Sequence, residues 1–182
     1  MPNWACGFTD VTGTKQAISS FLNRFIYPDE PETADGVRYF ARSFLRQDRS
    51  ELQAELDEIF KGVPEDEECE MRIFPDFAWS ASTCVESGYP EQFPDTCITL
   101  SEACIEDQVD VVIHTKEEGM WFEEEISCDR DGSMYSESAS LKCARCVDCG
   151  NTQGFASFED LDELECCECD GCNFEIDESE EG

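Results

Sequence analysis

Seven cysteines fall within thirty-one positions of this chain, in CARCVDCGNTQGFASFEDLDELECCECDGCN, residues 143 to 173. So dense a thiol set in so acidic a stretch cannot be an ordinary apolar core, and it needs a cross-link or a metal to stay folded. The chain has 13 cysteines in 182 residues. An odd number, with more than half of it near one end, fits metal ligation better than a disulfide framework spread over the fold. Zinc takes four ligands in a tetrahedron, and thiolates two residues apart fill adjacent corners because the turn between them aims both sulfurs at one point. Cys146 with Cys149 and Cys169 with Cys172 give that spacing, nineteen residues apart, and Gly150 supplies the left-handed turn such a knuckle needs. The shifted register draws on Cys143 and Cys166 as alternative or additional ligands. A closed set of four cysteines keeps no position for water, so the expected zinc is structural.

The acids are unevenly placed. Residues 1 to 61 hold 7 bases and 10 acids, a net of -3; residues 62 to 182 hold 5 bases and 34 acids, a net of -29 and nearly all of the -32 total. A field of that sign repels nucleic acid and anionic membranes and draws in proteins rich in Lys and Arg. Direct nucleic-acid binding and membrane association are therefore not expected. Hydrophobic residues at 40% are too many for a disordered acidic tail. The opening MPNWACGFTD lacks the basic start and apolar run of a secretory signal, and no segment has the length of a membrane span, so a cytoplasmic protein is expected.

Pattern along the chain predicts a domain over residues 1–135 and a cysteine-rich module with its tail over 136–182. ACGFTDVTG reads as a strand, and a helix follows with Thr14 as N-cap and Ala17, Ile18, Phe21, Leu22 and Phe25 on one face, ending at Pro28 and Pro31. RYFARSFLRQ fits strand or helix. Ser50 and Gln53 form a capping box for a helix burying Leu52, Leu56, Ile59 and Phe60. MRIFPDFAWS reads as a strand bent at its proline, STCVESGYPEQF as a short helical crossover, and TCITLSEAC, VDVVIHT and GMWFEEEISCD as further strands. Asp131-Gly132 is a tight turn, and SMYSESASLK a polar bridge into the cysteines. The sum is an α+β fold, a ferredoxin-like antiparallel sheet with helices on one face, plus a C-terminal four-cysteine, zinc-ribbon-like module.

MPNW, the strand and helix after it, AWS at Ala78 to Ser80, YPEQFPDTCITLSEA and GMWFEEEIS followed by DRDG resemble the YubB-type ferredoxin-like domain of plasmid and phage proteins, over residues 1 to 135. The resemblance implies a mobile-element origin and carries no catalytic residue. In size, acidity and mobile-element character the chain also resembles anti-CRISPR inhibitors of type II RNA-guided Cas nucleases.

No nucleophile motif, zinc-protease motif or phosphate loop is present, the single histidine, His114, lies in an apolar strand, and no enzyme is expected. Halophilic adaptation would also explain the acidity, but thirteen cysteines fit it poorly. The remaining expectation is a DNA mimic: a non-enzymatic anti-defence protein in the bacterial host cytoplasm. Its carboxylates would occupy a groove of a basic nuclease, a type II Cas effector with its guide RNA. The residues expected to face that partner are Glu117, Glu118, Trp121, Glu123, Glu124, Glu125, Asp160, Asp162 and Glu163, with Phe122 and Phe174 as further apolar anchors. A protein–protein adaptor built on the zinc ribbon is the alternative. Arg38, Arg42, Arg46 and Arg49 share a spacing that would suit one helical face, serving as a solvated face, as internal counter-charge or as a contact to guide RNA or DNA in a ternary complex.

Overall fold

A computed structural model describes residues 3–26, 37–46, 49–86 and 95–176. Pro28, Pro31, most of the YPEQF stretch and the acidic tail from 177 lie outside the described residues.

The central strand is β1, Trp4–Thr14, longer than its sequence pattern suggests. Its odd-numbered positions from Ala5 to Gly13 are buried, apart from the half-buried Gly7, and its even-numbered ones turn to the opposite face. Thr14 closes the strand and caps α1, Lys15–Leu22, by accepting a hydrogen bond from the Ala17 amide. Ile18, Phe21 and Leu22 of α1 are completely buried, each contributing about 1.5–3 kcal/mol of transfer free energy.

After the two-residue strand β2, Ser43–Phe44, comes α2, Arg49–Ile59. It starts before Ser50, and the Gln53 carboxamide bonds Ser19 and Asp57 instead of closing a capping box. Leu52, Leu56 and Phe60 are buried as their spacing predicts, whereas Ile59 is exposed.

Strands β3, Glu68–Ile73, and β4, Asp76–Ala78, run antiparallel to β1 in one shared register, with Thr9 opposite Ile73 and Ala5 opposite Phe77. They are one strand interrupted at Phe74-Pro75, because proline has no N–H for the ladder. The short helix α3, Ala81–Val85, follows, capped by Ser80.

TCITLSEAC forms not a strand but the start of α4, Leu100–Asp107. Thr99 and Glu102 make a reciprocal capping box, and this local signal outweighs the β-branched residues before it. Strands β5, Asp110–Glu117, and β6, Phe122–Cys128, then form a hairpin. The Asp131-Gly132 turn, with Gly132 at φ 85°, leads into β7, Met134–Ser140, which pairs with β6 along its whole length. The segment read as a polar bridge is thus a strand of the first sheet, and the module begins after Ser140 rather than at 136.

The sheet runs β2-β4-β1-β5-β6-β7, with β3 beside β1. Its first four positions have the order of a split βαβ, ferredoxin-like arrangement, and β6 and β7 extend one side. Helices α1 to α4 feed one core with the buried strand residues Val11, Met71, Ile73, Val111, Ile113 and Ile126. Arg24, at the end of α1, is nearly buried against Asp107 at the end of α4, ionically locking the two helices.

Arg38, Arg42, Arg46 and Arg49 do not share a helical face: the first three precede α2, and only Arg49 belongs to it. Arg38 pairs with Glu102 and Glu106, Arg46 with Asp76, Arg49 donates to the Tyr39 hydroxyl, and Arg42 lies over the Trp79 ring. Arg38 and Arg46 thus act as counter-charges, whereas these contacts of Arg42 and Arg49 are to an aromatic ring and a hydroxyl.

Candidate metal centre

The cysteine-rich segment forms a second antiparallel sheet, ordered β10-β8-β9, from β8, Lys142–Cys146, β9, Thr152–Phe155, and β10, Phe174–Ile176. Its apolar interior is small. Ala144, Phe155 and Leu164 are buried, with Leu161, Phe174 and Ile176 packed around them. Phe174 therefore belongs to this core and is not an exposed anchor.

Two knuckles of matching geometry sit at one end of that sheet. In the first, the Cys146 carbonyl accepts from the Gly150 amide and the Cys146 amide donates to the Asn151 carbonyl, both at 2.8 Å. In the second, the Cys166 carbonyl accepts from the Asp170 amide and the Cys166 amide donates to the Gly171 carbonyl, both at 2.9 Å. The residue after each second cysteine is left-handed: Gly150 at φ 76° and Asp170 at φ 56°. Aspartate tolerates that conformation better than most side chains. At Gly171 a Cβ would lie 2.7 Å from the Asp148 carboxylate and 3.2 Å from the Cys169 sulfur, so a side chain there would push Asp148 aside and crowd that sulfur.

The thiols of Cys146, Cys149, Cys166 and Cys169 all lie within 4.8 Å of one another. Cys146 faces Cys169 at 3.7 Å and Cys149 faces Cys166 at 3.5 Å. A disulfide would bring two sulfurs to about 2.05 Å. Four thiolates about 2.3 Å from a tetrahedral ion stand about 3.8 Å apart along each edge, close to the observed contacts. The donor set thus fits a single four-coordinate, thiophilic metal ion.

The pairing differs from the expected register at one ligand. Cys146, Cys149 and Cys169 are in the set, Cys166 takes the fourth place, and Cys172 is outside it, exposed, with its thiol directed to the Asp170 carbonyl. The cause is β10. Phe174 pairs with Cys146, and the Asn173 carbonyl accepts from the Val147 amide, so the chain at 172–173 is already committed to the strand. Cys143 lies within β8 and Cys167 is exposed beside the Asn151 carboxamide.

Without metal the Cys166 and Cys169 thiols do not ionise together. Backbone N–H groups of Glu168 and Cys169 draw Cys166 down to about 7 against the effect of burial. The Gly171 amide favours the Cys169 thiolate, yet the neighbouring Cys149 and Cys166 sulfurs push this thiol up to about 12. A cation that binds all four must displace protons, so capture strengthens as pH rises.

The module is docked on the sheet face that carries no helix. Phe158 packs edge-to-face on Phe8, with centroids 5.6 Å apart, and lies 5.5 Å from the His114 ring. Glu159 pairs with Lys116 at 2.7 Å, and the Ser157 amide donates to Glu123 at 2.6 Å. His114 is thus enclosed by aromatic rings, with Glu125 at 3.7 Å from its Nδ1.

The acids expected at a partner surface divide by strand parity. Glu124 lies on the core side of β6, is 7% exposed, and accepts from the Ala81 amide and the Ser82 hydroxyl. Glu117, 3% exposed, accepts from the Gly119 and Met120 amides and holds the β5–β6 turn. Neither faces solvent, which corrects their assignment to a docking surface. Glu123 is half-buried and tied to Ser157, whereas Glu118, Trp121, Glu125, Asp160, Asp162 and Glu163 are exposed. Phe122 is half-buried. Among the described residues no helix is long and apolar enough to cross a membrane. No family model, curated protein or solved structure matches the chain.

Proposed function

We propose that this chain is a non-enzymatic inhibitor that presents fixed carboxylates to the nucleic-acid groove of a basic protein. The observation that carries the reading is an ordered acidic surface: between Asp148 and Glu175 the metal-site module exposes eight acids, against the exposed bases Lys142 and Arg145. Carboxylates held on a folded frame imitate phosphates better than a mobile tail does, because little ordering entropy is lost on binding. The ion is zinc, since four thiolates in a closed tetrahedron are its usual structural site. Its role is to hold the module together; it bears no water and takes part in no reaction.

The partner that the anti-CRISPR resemblance implies is a type II RNA-guided Cas nuclease with its guide RNA, met in the cytoplasm of a bacterial host. Such nucleases hold their heteroduplex in a positive channel and read the PAM through arginines. The test is a cleavage titration of guide-loaded nuclease on plasmid DNA, with the inhibitor added before or after the target. Inhibition saturating near one to one, stronger before DNA and weakened by salt, is the expected result. Binding without loss of cleavage would replace inhibition with the adaptor reading. Inhibition far below stoichiometry with an altered product would mean an enzyme.

A further inference from the structure

Strand β7 ends the seven-stranded sheet, and among the described residues nothing pairs with its outer edge. All seven of its residues, MYSESAS, are exposed. Open edges invite another strand, and proteins ordinarily guard them with charged side chains, lysine above all, with proline or with a bulge. The one such device in β7 is the Glu137 carboxylate, which repels an acidic strand and not a basic one. The strand contains no Lys, Arg or Pro, and its register with β6 is unbroken from Cys128–Met134 to Phe122–Ser140. By contrast, β3 carries Arg72 and leads directly into Pro75.

The chemistry beside the edge selects what would be added. His114, Glu125 and Glu137 stand directly opposite one another across β5, β6 and β7, on the face away from the helices. With Glu123, Ser157 and Phe158 they line a cavity of about 210 Å³. This is smaller than a typical small-molecule site but suits one side chain. Two carboxylates and an aromatic ring are the set that recognises a guanidinium or ammonium group. A second copy of this chain is disfavoured: antiparallel self-pairing centred on Glu137 would set that carboxylate against its own copy, between molecules of net charge -32.

We infer that β7 is a docking edge for an extended basic segment of a partner protein, which adds as a further strand and places an arginine or lysine in the Glu125–Glu137 cavity. This rests on the reading that the partner is basic, and it adds the site and the mode: backbone pairing gives the affinity, and the acidic cavity gives the choice of side chain.

The experiment uses the full metal-loaded protein and two short capped peptides with equal numbers of arginines. One alternates arginine with threonine; the other has proline at each threonine position, which keeps the charge and removes those N–H donors. Affinity is read by fluorescence anisotropy and strand pairing by amide hydrogen exchange. The threonine peptide is expected to bind about tenfold more tightly, to slow exchange at β7 amides, and to lose that advantage with Glu137→Lys or Ser138→Lys, the second placing a lysine guard without removing an acid. Equal binding of both peptides, or binding without β7 protection, would overturn the edge while leaving a charge-driven basic partner intact. If neither peptide binds at low salt, the basic-partner reading fails as well.

Discussion

Exchanging serine for Cys166 and, separately, for Cys172 tests the metal centre at the point where the structure makes its least obvious choice. Both cysteines belong to C-x-x-C pairs that include Cys169, so sequence spacing treats them alike. Only Cys166 lies within 4.8 Å of the other three sulfurs. The apolar interior of the module contributes little: three buried side chains, Ala144, Phe155 and Leu164, give on the order of 5 kcal/mol. Structural zinc contributes about 10 kcal/mol or more to folding. A zinc ion held there would stabilise the module more than its apolar core does, and loss of one ligand should unfold residues 142–176 without unfolding the sheet that holds β1. Cobalt substitution reads the site directly, because tetrahedral thiolate coordination gives intense visible bands. Cys172→Ser should keep one equivalent of metal and the full spectrum; Cys166→Ser should lose both, and amide exchange in the module should approach that of the metal-stripped protein. Retention of the spectrum by Cys166→Ser and its loss in Cys172→Ser would refute the assignment.

Three further substitutions test the frame around this site. Asp107→Asn leaves Arg24 buried with half its carboxylate support; Asp107 and Glu106 together raise the Arg24 pKa against the cost of burial, and the change should destabilise the protein by about 3 kcal/mol in urea unfolding, with a loss below ~1 kcal/mol counting against a buried pair. Phe158→Ala removes both ring contacts to β1 and β5, about 1–3 kcal/mol, and should free residues 156–159 to exchange while the metal spectrum stays intact; unchanged exchange would mean that the polar anchors, Lys116–Glu159 and Ser157–Glu123, hold the module without the ring. Burial, then the nearby Glu124 carboxylate, raises the Glu86 pKa, so this group favours folding fully only below its unfolded value and that contribution fades as pH climbs through the folded one. Glu86→Gln should accordingly stabilise at pH 7 and do nothing near pH 3; a gain equal at both would exclude titration of Glu86 as the cause.

Strand periodicity makes much of the first sheet legible. Alternation marks β1, β5 and β6, Asp131-Gly132 fixes the hairpin into β7, and Pro75 marks the break between β3 and β4. Strand β7 is not legible because period two appears only when one face is buried, and both faces of β7 are exposed. Helix α4 carries its capping box, Thr99 to Glu102, in plain view, yet the alternation around Ile98 points to a strand and hides the cap. Parity places Glu124 inward, since it shares a face with Ile126 and Cys128, but the run FEEEIS invites a reading by charge alone. At the metal centre, the rule that the residue after the second cysteine be left-handed correctly singles out Gly150. It cannot choose between Asp170 after Cys169 and Asn173 after Cys172, because both types tolerate that conformation. Pairing of β10 with β8 decides it, a long-range event with no local trace.

Charge, metal and docking depend on one another. Acids packed on a small module repel, and four thiolates around a divalent ion leave a further net negative charge at its end. That repulsion would be opposed by a bound ion, and is opposed by the small core and by anchorage through Phe158, Lys116–Glu159 and Ser157–Glu123 to the first sheet. Salt then acts in opposite directions on two measurable quantities. Screening lowers the self-repulsion of the free protein and should raise its melting temperature, while it weakens attraction to a basic partner. If carboxylates are held in place as phosphate substitutes, added salt must stabilise the inhibitor and loosen its complex together. A complex indifferent to salt would place the binding energy in apolar contacts such as Trp121, and would leave the acidity as a cost the fold bears for another reason.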